Sequence, residues 1–118
     1  MQRWIIRMNI EQLINQIKLR PLMYIGCFRL EPMFHFINGY MVNNFIMGKD
    51  DFIDRAFRQQ FNDWIKIQLE RKHNIQLEPH RNYLYYIHEI YKDTEDSLKI
   101  FFELCDEFFS ELHSENNI

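Results

Sequence analysis

Apolar side chains recur at helical spacing through most of this chain, and this periodicity constrains its fold more than any other feature. From Phe52 to Leu69 they hold one face for about five turns, and Asp54 is expected on the opposite, polar face. The segment from Ile10 to Ile17 has the same spacing. Strand-like alternation is scarce, since only residues 3–8 and 74–77 resemble short extended pieces. The pattern therefore predicts an all-α fold.

The size and turn content of the chain favour one compact bundle. With 118 residues it is predicted to be a single domain spanning 1–118, long enough to bury a core without disulfides. Eleven Phe, six Tyr and two Trp supply ample apolar surface, whereas three Gly and three Pro are too few for a protein built of hairpins. We expect about five helices joined by short connections.

Local signals set the expected helix ends. Asn9 with Gln12 forms a capping box for the first helix, and Pro21 should end it near Leu19. Gly48 should end the second helix, which starts near residues 31–32, and Asp50 or Asp51 should cap the third. Residues 71–82 are predicted to form a loop before a fourth helix at 83–91, and Thr94 begins the last helix.

The acidic charge is concentrated at the carboxyl end. Residues 89–118 hold nine of the 17 acidic residues but only two of the 14 Lys and Arg residues. Such a distribution disfavours contact of that end with nucleic acid and suits a basic protein partner. From the residues alone, a solubilising helix surface is the favoured interpretation.

Several features bear on location. The start of the chain is too poor in apolar residues for a secretory signal, and no apolar run approaches the roughly 20 residues that span a bilayer. Cys27 precedes Phe28, and Cys105 is flanked by Phe102 and Phe108 three residues away on either side, which is typical of small core residues with reduced thiols. We therefore expect a cytoplasmic protein that does not associate with membranes.

Motifs for catalysis or metal binding are not apparent. The only serines lie in or near the last helix, and the histidines lack the spacing of a metal site. His35, between two Phe residues, is expected to be half-buried. The paired carboxylates lie at helix starts or on solvent-facing stripes, where capping and solubility explain them. We expect no enzyme, no cofactor and no bound metal.

A second hypothesis is a regulatory or oligomeric helical module associated with nucleic acid. The tyrosines of residues 83–91 are able to stack on bases, although core packing is the favoured interpretation. The basic residues that would serve such a module are Arg55, Arg58, Lys66, Arg71 and Lys72.

The phrase "IKLRPLMYIG", followed by a link and a helix bearing "FINGY", carries a family resemblance over residues 10–41. It resembles small bacterial immunity proteins that accompany toxins of contact-dependent growth inhibition systems. Leu22 replaces the glycine usual in that phrase, and "CFRLEP" replaces a Ser-rich link. The core "RPLMYIG" is also similar to a phrase of the type II topoisomerase ATPase domain, for which this chain is too short.

In the light of that resemblance the motif is expected to be structural. Pro21 would end the first helix, Tyr24 would pack inward and Gly26 would allow a backbone angle closed to other residues. Arg20 would bond the carbonyls of the turn. Gly39 and Tyr40 would let the second helix approach a neighbour closely, with the tyrosine hydroxyl forming a hydrogen bond. A ligand-binding loop remains the alternative.

The resemblance implies an immunity protein that binds and neutralises a cognate toxin domain by occluding its active site. Such toxins are often nucleases, including RNA-cleaving ones, and their basic sites attract acidic surfaces. The predicted contacts are the carboxylates of the last helix and of the turn before it, with two tyrosines as anchors: Asp93, Glu95, Asp96, Glu103, Asp106, Glu107, Glu111, Tyr85 and Tyr86. The oligomeric state is left open.

Overall fold

The structure is a computed structural model that describes residues 8–116. Within this range it contains six α-helices and no strand: α1 (Ile10–Leu19), α2 (Pro21–Ile25), α3 (Leu30–Ile46), α4 (Phe52–His73), α5 (Tyr83–Tyr91) and α6 (Glu95–Asn116). The predicted all-α fold is confirmed, but the helix count is six rather than about five. The predicted extended piece at 3–8 lies outside the described residues except for Met8.

The added helix is α2, which occupies the position predicted to be a turn. Pro21 does end α1 at Leu19, yet it also stands at the first position of α2. A proline is favoured there because its missing N–H has no partner in the first turn of a helix. The predicted extended piece at 74–77 is a loop, and α4 continues to His73, beyond the predicted start of that loop.

The predicted caps form as expected. Asn9 accepts a hydrogen bond from the backbone N–H of Gln12, whose side chain bonds back, and Asp51 makes the same reciprocal arrangement with Asp54. Thr94 accepts a hydrogen bond from the backbone N–H of Asp96 at the start of α6. Each cap satisfies N–H groups that the first helical turn leaves unpaired.

Helix α6 is the centre of the bundle, since it packs against α1, α3, α4 and α5. Its inner face supplies nine buried residues: Ser97, Leu98, Phe101, Phe102, Leu104, Cys105, Phe108, Phe109 and Leu112. The ring of Tyr83 lies against those of Phe61 and Phe101, with centroids 5.3 and 5.2 Å away. This aromatic cluster joins α4, α5 and α6 into one core.

Asp54 departs from the expected pattern, because its helical position was predicted to face solvent. It is 1% exposed and accepts hydrogen bonds from the backbone N–H groups of Ile10, at 2.6 Å, and Asp51, at 3.1 Å. Burial raises the pKa of its carboxyl group, and the two hydrogen bonds oppose that shift. Asp54 thus joins the start of α1 to the start of α4.

Candidate interaction surface

Most of the predicted acidic contacts lie on the exposed stripe of α6, but several bond within the chain. Lys18 on α1 lies 2.7 Å from Asp106, and Lys72 on α4 lies 3.3 Å from Glu107, which is half-buried. Glu111 accepts a hydrogen bond from the indole N–H of Trp64 at 3.0 Å. Of these three bonds, the two made by Lys18 and Lys72 partly neutralise the stripe.

Asp93, in the turn before α6, also bonds within the chain. The carboxylate of Asp93 accepts hydrogen bonds from the guanidinium of Arg29, and this contact raises the pKa of Arg29. The other oxygen of Asp93 lies 3.6 Å from the ring of His88. Asp93 therefore joins the α5–α6 turn to the start of α3.

Three of the seven acidic candidates make no side-chain hydrogen bond or ion pair with any residue in 8–116. These are Glu95, Asp96 and Glu103, and all three are exposed. They lie on the first half of α6, so the unpaired negative charge is concentrated there. This half of the helix is the part of the predicted acidic surface that is available to a partner.

The two predicted tyrosine anchors have different positions. Tyr86 is completely buried, and its hydroxyl donates to the carbonyl of Glu78 at 2.6 Å and accepts from the backbone N–H of Arg81 at 3.1 Å. The prediction that Tyr86 contacts a partner is therefore wrong. Tyr85 is half-buried, with the Arg81 guanidinium 5.0 Å from its ring centre, and it does not lie on α6 or the turn before it.

The RPLMYIG motif is partly structural, as expected. Gly26 ends α2 in the left-handed region, with φ of 75°, and Tyr24 packs edge-to-face on Phe36. The hydroxyl of Tyr40 donates to the carbonyl of Met8, as predicted.

Two roles assigned to this motif and to α3 are wrong. The side chain of Arg20 makes no hydrogen bond with the described part of the chain, because it projects from the α1–α2 corner into solvent. A Cβ built on Gly39 would have no neighbour within 4 Å, so this glycine does not serve a close helix approach. His35 is also exposed rather than half-buried.

The same motif exposes apolar side chains that the fold does not bury. None of the five residues of α2 is buried, and Leu19, Leu22 and Met23 are 73%, 56% and 68% exposed. This exposure could have been predicted from the sequence, because a five-residue helix between a proline and a glycine is too short to form a buried apolar stripe. Exposed apolar side chains that lie together are typical of interaction sites.

A groove of about 300 Å³ lies between the α1–α2 corner and α6. It is lined by Lys18, Pro21, Phe28, Glu95, Leu98, Lys99 and Phe102. We define the α2–α6 surface as this groove together with exposed residues that adjoin its lining in the sequence or lie farther along α6: Leu19, Leu22, Met23, Asp96, Glu103 and Asp106. It combines an apolar centre with charged residues around it, which is the usual anatomy of a protein interface.

The Cys105 thiol and most of the basic residues of the second hypothesis are engaged in the fold. No group of three or more metal-ligating side chains occurs among residues 8–116. Burial raises the pKa of the Cys105 thiol well above its usual value, which disfavours the reactive thiolate. Most basic residues of the second hypothesis bond within the chain: Arg55 to the Asp50 carbonyl, Arg58 near the Asp50 carboxylate, Lys66 to Glu70 and Lys72 to Glu107.

Among residues 8–116, no helix combines the length and the apolar character needed to cross a membrane.

Comparisons with known proteins give no assignment. No family model matches the chain, no curated protein matches its sequence and no solved structure matches its fold.

Proposed function

We propose that this protein is a cytoplasmic immunity protein that binds a basic toxin domain, such as an RNA-cleaving nuclease, and occludes its active site. The single observation that carries the proposal is the α2–α6 surface. There, Pro21 of the RPLMYIG motif and Glu95 of α6 line one groove, and the apolar side chains of Leu22 and Met23, which follow Pro21, are exposed. The motif on which the family resemblance depends is thus part of the surface best suited to a partner.

The two parts of the surface have separate roles in this proposal. Leu22 and Met23 supply apolar area that a partner desolvates, which stabilises the complex. Glu95, Asp96 and Glu103 give a local negative potential that accelerates encounter with a basic active site. A complex of standard size would bury about 1,600 Å² in total, so the partner would extend beyond the groove itself.

A direct test begins with the gene neighbourhood. The proposal expects a large exoprotein with a variable carboxyl-terminal domain to be encoded directly upstream. Cells that produce this domain should stop growing, and co-expression of the present protein should restore growth. The two purified proteins should form a stable complex, and the complex should have lost the nuclease activity of the free domain.

The control is an unrelated toxin domain of the same activity, against which no protection is expected. The proposal is overturned if the upstream domain and the present protein fail to associate at micromolar concentrations. Protection against the unrelated toxin would also contradict it, because immunity by docking is specific to the cognate surface.

A further inference from the structure

A second groove, of about 470 Å³, lies between α3 and α4 and is separate from the α2–α6 surface. We call it the α3–α4 groove, and it is lined by Asn38, Met41, Val42, Phe45, Phe57, Arg58, Asn62 and Tyr83. Its volume lies within the roughly 300–1,000 Å³ typical of small-molecule sites. None of its lining residues is used by the proposed function.

The body of the groove is apolar and largely preformed. Met41, Phe57 and Tyr83 are 8%, 4% and 4% exposed and belong to the core, so their positions are fixed by packing. Val42 and Phe45, at 56% and 61% exposed, form its outer wall. Such a groove suits a flat aromatic or alkyl group, whose burial would remove apolar surface from water.

Two lining residues, Asn62 and Arg58, carry hydrogen-bond donors with free capacity among residues 8–116. The side-chain oxygen of Asn62 already accepts from the backbone N–H of Tyr83 at 2.8 Å, which leaves its amide N–H₂ without a partner among residues 8–116. The guanidinium of Arg58 lies 5.3 Å from the ring centre of Phe45. Its contact with Asp50, at 3.5 Å, is an ion pair without a hydrogen bond.

The lining contains one cation and no carboxylate; Asp50, outside the lining, partly neutralises Arg58, and the N–H donors of Arg58 that do not face Asp50 suit an anion. The planar N–H donors of a guanidinium match the two oxygens of a carboxylate. We propose that the α3–α4 groove binds a small monocarboxylate with an aromatic or alkyl body. The body lies against Met41, Phe57 and Tyr83, and the carboxylate bonds to Arg58 and Asn62.

The test uses 4-phenylbutyrate as the probe and 4-phenyl-1-butanol as its uncharged match. Binding of each is measured by ¹H–¹⁵N NMR titration of the full chain. The acid should bind saturably with a Kd at or below about 1 mM, and shifts should cluster at 38–45 and 57–62. The alcohol should bind about tenfold more weakly, because it forms no charge-assisted hydrogen bonds.

Three variants separate the contribution of the Arg58 charge from that of the apolar groove. Arg58→Met keeps an apolar stem and should weaken the acid about tenfold while leaving the alcohol unchanged. Arg55→Met is the matched control on the same helix: its guanidinium bonds the Asp50 carbonyl and does not line the groove, so the affinity for the acid should remain. Val42→Trp fills the groove from its exposed wall and should abolish binding of both probes.

Several results would overturn the inference. These are an absence of saturable binding, equal affinity for the acid and the alcohol, an unchanged Kd in Arg58→Met, or shifts located at the α2–α6 surface. Concentration-dependent shifts without probe at the same residues would also overturn it, since they would assign the groove to self-association. None of these outcomes bears on toxin binding, so the two proposals fail independently.

Discussion

The ammonium group of Lys18 lies 2.7 Å from a carboxylate oxygen of Asp106, so α1 and α6 are joined beside the α2–α6 groove. Both side chains are more than a third exposed, and such pairs contribute only about 0–1 kcal/mol because water screens them. The bond matters more for the surface than for stability, since it neutralises a carboxylate that the sequence assigned to the partner. Glu103, which has no such bond among the described residues, is the better test of the acidic surface.

Charge reversal at Glu103 should therefore slow association with the toxin domain. We expect Glu103→Lys to lower the association rate several-fold at low salt, with a smaller effect at high salt because ions screen the interaction. The free energy of unfolding should change by less than about 0.5 kcal/mol, since the side chain is exposed. Stopped-flow kinetics at two salt concentrations measures the effect.

Glu115→Lys is the matched control, with the same charge change on the same helix about 18 Å farther along its axis. It should leave the association rate close to that of the wild type. An equal slowing by both variants would show that net charge, rather than the first half of α6, determines the encounter.

Two buried tyrosines on α5 should respond in opposite ways to loss of their hydroxyl groups. Tyr86→Phe removes two hydrogen bonds that hold the loop before α5, and should lower the free energy of unfolding by about 1–3 kcal/mol. The buried hydroxyl of Tyr83 has no hydrogen-bond partner among residues 8–116, so Tyr83→Phe should raise that free energy by about 1 kcal/mol. Urea unfolding of both variants measures the difference, and a larger loss at Tyr83 would contradict this assignment.

Two glycines provide a similar contrast. Gly26 has φ of 75°, so Gly26→Ala should lower the free energy of unfolding by about 1–2 kcal/mol. Gly39 lies inside α3 with open space around it, so Gly39→Ala should raise that free energy by about 0.5–1 kcal/mol through its better helix propensity. Thermal unfolding monitored by circular dichroism measures the change in stability of both variants. Destabilisation by Gly39→Ala would instead support the prediction that Gly39 allows a close approach of α3 to a neighbouring helix.

Asp54 should give stability a distinctive pH dependence. Because burial raises its pKa in the folded state, the folded protein retains the proton to higher pH than the unfolded chain. This contribution is complete below the unfolded pKa of about 3.9 and is lost as pH rises through the folded value. The free energy of unfolding of the wild type minus that of Asp54→Asn should therefore fall over this window. A difference that increases with pH would mean that the hydrogen bonds from Ile10 and Asp51 outweigh burial.

Sequence periodicity predicted the helices well but not which residues of an aromatic helix face inward. The segment 83–91 is apolar or aromatic on nearly every side, so its pattern did not distinguish Tyr86, in the core, from Tyr85, at the surface. Asp54 was placed on the wrong face because its burial depends on the N–H of Ile10, a neighbour distant in sequence.

The ion-pair partners of the acidic residues also could not be predicted from the sequence. Lys18 and Asp106 are 88 positions apart, and no local pattern predicts that contact. Local caps such as Asn9 with Gln12 were predicted because both partners lie within one turn. Interactions determined by tertiary packing therefore account for most of what the sequence missed.

The central claim, that the α2–α6 surface binds the toxin domain, is tested most directly by one pair of substitutions. Met23→Asp places a charge on α2, where no residue is buried, and Ile67→Asp makes the same type of change on α4, at a side chain 44% exposed. Calorimetric titration with the toxin domain should show at least about a tenfold loss of affinity for Met23→Asp and wild-type affinity for Ile67→Asp. Wild-type affinity for Met23→Asp, with both variants folded, would contradict the account.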